Sequence, residues 1–106
     1  MPAAWLVVRV TVAAAADRAG FDHWYRTEHL PDAMKAFGVS TAWRGWSQQD
    51  PSVHCAHYRF GSAETLDAVM RGPEIAVLIA EFDRVWGGKV TRTREVMVVG
   101  DEVGVG

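Results

Sequence analysis

The chain has 106 residues and a mass of 11.7 kDa, room for one domain over residues 1–106 and one hydrophobic core. Hydrophobic residues make up 49% and charged residues 23%, the balance of a folded globule, which excludes disorder, collagen-like repetition and a coiled coil. Lys and Arg number 11 against 13 Asp and Glu, and the net charge of −2 offers no footprint for nucleic acid or an anionic membrane.

The first seventeen residues, MPAAWLVVRVTVAAAAD, look superficially like an export signal. They lack a charged start, and Arg9 interrupts the apolar stretch that such a signal needs unbroken. No other window approaches the ~20 apolar residues that span a bilayer. The single Cys55 has no partner for an internal disulfide. A cytoplasmic location is the expectation.

From Trp5 to Val12 the side chains alternate: Leu6, Val8, Val10 and Val12 share one face, and Trp5, Val7, Arg9 and Thr11 the other. That pattern predicts a half-buried strand. Asp17 is placed to cap a following helix, in which Phe21, Trp24, Tyr25 and Glu28 recur at helical spacing. Pro31 ends or bends it near Leu30, and a continuation from Asp32 to Phe37 stops at Gly38. Residues 39–48 and 53–60 read as two strands joined by the turn Gln49-Asp50-Pro51-Ser52. Ser62 caps a second helical region, broken by Gly72-Pro73. Its longer piece, Glu74 to Trp86, carries Ile75, Leu78, Ile79, Phe82, Val85 and Trp86 along one stripe. Lys89 to Val99 is the last strand, and the tail from Gly100 to Gly106 is expected to fray.

The order β-α-β-β-α-β predicts an α+β, ferredoxin-like domain: a four-stranded antiparallel sheet with two helices on one face. The bare face then carries Trp5, Val7, Arg9 and Thr11 beside Val53, Cys55, His57 and Arg59, while His54, Ala56, Tyr58 and Phe60 turn to the helices. Such a face is too apolar for water, and its Arg and His residues are too polar for a dry core. A two-fold dimer packed sheet to sheet around a hydrated interior satisfies both demands.

The segment Phe21-Asp22-His23-Trp24-Tyr25-Arg26-Thr27-Glu28-His29-Leu30-Pro31 resembles the first helix of the EthD family. That helix reads Phe, two residues, paired aromatics, three residues, His, one residue, Pro. Phe21, Trp24-Tyr25, His29 and Pro31 fall on the matching positions, while Leu30 and Asp32 depart from the commoner residues around the proline. The resemblance implies a dimeric α/β barrel and hence a homodimer. The wider group includes cofactor-free monooxygenases of antibiotic biosynthesis, muconolactone isomerases and haem-binding enzymes, and EthD-like proteins include fungal polyketide dehydratases.

Among candidate functional residues, His29 falls at the edge of the buried helical stripe and titrates near neutrality, which suits acid/base work in dehydration, enolisation or isomerisation. Its alternative is to close the helix end, where a cation is favoured. His23 lies on the solvent side. Glu28, near the centre of the stripe, needs an Arg or a backbone amide, or serves as a base. Trp24 and Tyr25 would line the pocket, with Arg9 and His57 holding a ligand oxygen; Arg9, His57 and Arg59 could instead pair with Glu95 of the partner subunit. Trp43 and Trp46 face opposite sides of their strand. Cys55 reads as filler.

Without CxxC, HExxH or spaced carboxylates, no metal site is expected, and without a phosphate-binding Gly loop no nucleotide cofactor. Three functional readings follow. The first is a cofactor-free enzyme or binding protein for a small hydrophobic, aromatic or polyketide-like ligand. The second is a non-catalytic dimeric ligand-binding or accessory module. The third is a haem-binding relative using His29 or His57. Pro2 as an N-terminal amine base of the tautomerase kind fits less well, because the strand starts three residues later.

Overall fold

The computed structural model describes residues 2–104. Its elements are β1 (Ala4–Thr11), α1 (Ala15–Trp24), a π-helical turn (Tyr25–His29), α2 (Leu30–Phe37), β2 (Ala42–Trp46), β3 (Val53–Phe60), α3 (Ala63–Met70), α4 (Pro73–Trp86) and β4 (Thr91–Val98). The four strands form one antiparallel sheet in the order β2-β3-β1-β4, with the helices on one face. This is the ferredoxin-like α+β fold.

Alternation along the strands sorts side chains as the period of two requires. Leu6, Val8 and Val10 of β1 are buried beneath the helices, as are His54, Ala56, Tyr58 and Phe60 of β3. The intervening residues look the other way, and the register sets Val7 opposite His57 and Arg9 opposite Cys55. Phe21 is the centre of the aromatic core, with its ring 5.2–6.2 Å from those of Tyr25, Trp46, His54, Phe82 and Trp86. Burying each large apolar side chain of this kind stabilises the fold by roughly 1.5–3 kcal/mol.

The first helical region departs from a straight wheel. Phe21, Tyr25, Ala33 and Phe37 are buried and His29 is half-buried, a strict step of four residues. An α-helix drifts about 40° for every such step, because it holds 3.6 residues per turn. The wider turn at Tyr25–His29 takes up that drift and keeps the series facing the sheet. Glu28 is the corrected residue: it is exposed, not at the centre of the apolar stripe. Gly38 closes α2 at φ 67°, the left-handed conformation in which a Cβ is costly.

Three boundaries also differ from expectation. The helix starts at Ala15 with Ala14 at the cap position, so Asp17 sits within the first turn and acts there as a charge facing the helix dipole. The second strand is confined to Ala42–Trp46. The last strand is confined to Thr91–Val98; in the exposed tail beyond it Glu102 accepts from Arg59 Nε at 3.1 Å and Nη2 at 2.7 Å, and its end, Val105 and Gly106, lies outside the described residues. Ser62 does cap α3, its Oγ accepting from Thr65 N–H at 3.1 Å. Gly72-Pro73 does separate α3 from α4.

Candidate functional site

The candidate site lies between the helices and the sheet, where the π turn delivers two residues four apart to one place. Tyr25 reaches toward β3 and its hydroxyl meets that of Tyr58 at 2.5 Å. The ring of His29 stacks on Trp24, with centroids 4.9 Å apart and planes at 24°, and lies 4.8 Å from the ring of Tyr25. Phe82 of α4 closes the third side of the imidazole at 5.4 Å. Tyr25, His29 and Tyr58 border a cavity of about 30 Å³, floored by Leu6 and Val8 and flanked by Arg92 and Arg94 of β4. Arg92 is held by Asp83 at 3.2 Å, and its guanidinium lies 4.4 Å from the centre of the Phe82 ring.

A polar chain runs behind the two tyrosines. Asp22 Oδ1 accepts from Arg44 Nη1 at 2.7 Å and from Trp46 Nε1 at 2.9 Å. Arg44 Nη1 is also 3.3 Å from His54 Nε2. A guanidinium only donates, so that nitrogen accepts and the imidazole proton falls on Nδ1, which is buried without a partner among the described residues. The His54 ring rests 4.5 Å from that of Tyr25.

These surroundings set the protonation states. Burial, with help from the nearby Arg92 and Arg94, pulls His29 down to about 4. Burial and Arg44 do the same for His54, also to about 4, against the opposing charge of Asp22. Both rings are therefore neutral at pH 7. The hydrogen bonds from Arg44 and Trp46 hold the Asp22 carboxyl at about 2. Burial pushes the Tyr58 phenol up to about 12 and Tyr25 well above its usual value, so both keep their protons.

The residues expected to share one pocket fall on two faces of the sheet. Trp24, Tyr25 and His29 come together on the helix side. Arg9 and His57 are on the open side, because Arg9 alternates with the buried Val8 and Val10, and His57 with Ala56 and Tyr58. They line no cavity with His29. On that open face Trp43 stacks flat on His57 at 3.9 Å and 12°, and Trp5 meets the same ring edge-on at 6.3 Å. Cys55 Sγ is 3.7 Å from His57 Nδ1, and burial raises its thiol. Arg59 is engaged with Glu102 of its own chain rather than turned to a ligand.

Sequence reasoning passed over Tyr58, His54, Arg44, Asp22, Arg92 and Arg94. Two signals were present. His54 and Tyr58 sit at core positions of an alternating strand, where a polar atom must find a partner. Arg92 and Arg94 alternate in phase with Val96 and Val98, which pair opposite the buried side of β1.

Outside the cavity, His29 and Leu78 also border an open groove of about 1230 Å³ between α2 and α4, edged by Glu28, Asp32, Glu74 and Glu81 together with Lys35 and Arg84. This arrangement does not fit a haem. The cavity at His29 is far too small, and His57 is covered by Trp43 on the opposite face. Among the described residues no group of three or more His, Cys, Asp and Glu is placed to hold a metal ion, and no helix is long and apolar enough to cross a membrane.

The ferredoxin-like fold is shared with several solved structures. An EthD family protein from Bacillus halodurans superposes with a TM-score of 0.65 at 16% identity, over 87% of this chain and 96% of that one. SnoaB, a cofactor-independent oxygenase from Streptomyces nogalater, superposes as its N63A mutant with a TM-score of 0.71 at 11% identity, over 99% and 100% of the two chains. A dimeric ferredoxin-like protein from an uncultured marine organism gives 0.60 at 14% identity, over 97% and 100%. No protein-family model and no curated protein matches the chain. At these identities the likeness establishes the fold, and at that level it agrees with the EthD resemblance of the first helix.

Proposed function

We propose that the chain is a homodimeric, cofactor-free protein that binds a small aromatic or polyketide-like compound under its helices and performs acid/base chemistry on it through His29. The observation that carries this reading is the position of His29: a neutral imidazole at the wall between the inner cavity and the outer groove, with Arg92 and Arg94 close by. A neutral imidazole accepts a proton from a carbon or hydroxyl of the ligand and returns it elsewhere, as dehydration, enolisation and isomerisation require. The two guanidiniums stabilise negative charge that develops on a ligand oxygen meanwhile. Trp24 and Tyr25 hold the imidazole between their rings. The EthD family protein and the cofactor-independent oxygenase of like fold support a small-molecule role.

The second reading, a ligand-binding module without turnover, draws on the depth of the shift at His29: a base with a pKa of about 4 is weak at neutral pH. One experiment separates the two. Native mass spectrometry of gently purified protein should show a dimer, twice 11.7 kDa, with a stoichiometric small molecule whose mass identifies it. Incubation with that compound, followed by liquid chromatography, should show conversion by the native chain. His29→Ala should stay dimeric and lose at least 100-fold in rate, by the usual weight of a general base (~10²–10⁴). Undiminished conversion by His29→Ala would remove His29 from the chemistry, and binding with no conversion by either protein would leave the module.

A further inference from the structure

We propose that the Tyr25–Tyr58 pair is an oxygen-recognition element, and that the ligand is a flat apolar compound whose neutral keto or phenolic oxygen enters the inner cavity. This rests on the reading of that cavity as the ligand site. Hydrogen-bond accounting leads to it. Two phenols carry two O–H groups, and one is spent within the pair. Among the described residues neither hydroxyl has another partner, so one O–H remains, and both tyrosines border the cavity. Burial keeps both phenols protonated, so the pair offers a donor to whatever enters.

Size and charge narrow the occupant. About 30 Å³ exceeds the ~10–15 Å³ that holds one water and falls well below the ~150 Å³ of a cavity that binds benzene, so it takes a small oxygen-bearing group and not a ring. His29 and Leu78 border both this space and the groove of about 1230 Å³, so a ring lying in the groove can direct one substituent inward past them. The groove offers Trp24, Val77, Leu78 and Val85 as apolar surface. Its rim holds Glu28, Asp32 and Glu74, with Lys35 among them, none in an ion pair among the described residues, while Glu81 is engaged by Arg84. Carboxylates thus outnumber cations on the rim, which disfavours a ligand that arrives as an anion, while Arg92 and Arg94 beside the inner cavity suit the partial negative charge that a neutral keto or phenolic oxygen carries.

The test compares 2-acetylnaphthalene with 2-ethylnaphthalene, nearly the same shape without the oxygen, by titration calorimetry. The native chain should bind the ketone roughly 3- to 10-fold more tightly, the weight of one hydrogen bond. The infrared carbonyl stretch of the bound ketone should fall below its value in hydrocarbon solvent. In Tyr25→Phe/Tyr58→Phe the preference should drop to about one, the stretch should return upward, and the affinity for 2-ethylnaphthalene should hold. Removing both partners while keeping the shape is near neutral for stability, so the double variant should fold. If it does not, the single variants carry the test, since at least one must move the carbonyl stretch. Equal affinities in the native chain, a preference that survives the double variant, or a stretch unmoved in both single variants would overturn the role of the pair and leave the pocket standing. Failure of both compounds to bind the native chain would overturn the pocket reading together with this proposal.

Discussion

Histidine behaves here according to what surrounds it. His54 is fully buried against aromatic rings and receives a hydrogen bond from Arg44, and His29 is enclosed by Trp24, Tyr25 and Phe82 near Arg92 and Arg94. Each is depressed from 6.5 to about 4. Between those limits the unfolded chain binds protons that the folded chain refuses, so stability rises with pH through the window. It is fully present above about 6.5 and is lost as the pH falls toward 4. Each ring contributes on the order of 1.4 kcal/mol per pH unit at most across that range. His57 is lowered by burial and Arg9, and acts in the same direction. Asp22 acts lower still, since its carboxyl titrates near 2. Urea denaturation at pH 7, 6, 5 and 4 should show a falling midpoint. His54→Gln should flatten that fall while lowering stability at pH 7, and an identical slope in the variant would refute the assignment.

At the level of elements, the turn at Tyr25–His29 and the end of α2 do most to shape the site. The π turn puts Tyr25 and His29 side by side over the cavity and sends Glu28 to solvent. In a continuous α-helix the four-residue series from Phe21 to Phe37 would spiral off the sheet. Gly38 then turns the chain toward β2 at φ 67°, ψ 31°. Nothing lies within 4 Å of a Cβ built there, so a substitution there meets backbone preference alone. Gly38→Ala should cost about 1–2 kcal/mol in the urea midpoint with an unchanged slope, and Gly38→Asn less. A neutral Gly38→Ala would mean that α2 can end one residue earlier without loss.

For the whole molecule, the two faces of the sheet have separate roles. The helix face is filled by the aromatic core, and the open face presents Trp5, Val7, Val53, Cys55, Trp43 and Met97 around Arg9, His57 and Glu95. Trp43 is 51% and Met97 49% exposed, high values for residues of their size in a lone subunit. Arg9 and Glu95 have no ion-pair partner among the described residues, and they lie diagonally across β1 and β4. A second copy packed on this face covers the apolar area and can pair both charges. Light scattering coupled to size exclusion should give a dimer for the native chain and a folded monomer for Val7→Asp, which sets a second carboxylate opposite Glu95 in the middle of the face. A dimer that persists in Val7→Asp would locate the contact elsewhere, β4 at the sheet edge being the other apolar surface.

The fold was legible in the sequence because two periods were clean: Leu6, Val8, Val10 and Val12 along one strand, and Ile75, Leu78, Ile79, Phe82 and Trp86 along one helix. Turn and cap chemistry at Asp50-Pro51, Ser62, Gly72-Pro73 and Gly38 set the boundaries between them. Alternation alone also determined that Arg9 and His57 share a face, and that His54 and Tyr58 share the other. What alternation cannot convey is which distant side chains converge. The Tyr25–Tyr58 contact spans 33 residues, and Arg44 and Trp46 reach back from β2 to Asp22 on α1. Those meetings exist only once the helices lie on the sheet. The separation of His29 from Arg9 and His57, by contrast, was already implied by alternation, which sets both on the face away from the helices with the sheet between. A wheel of fixed pitch misplaced Glu28, because the pitch there is set by the need to keep Phe21, Tyr25, Ala33 and Phe37 on one surface, a demand of packing that no local propensity records.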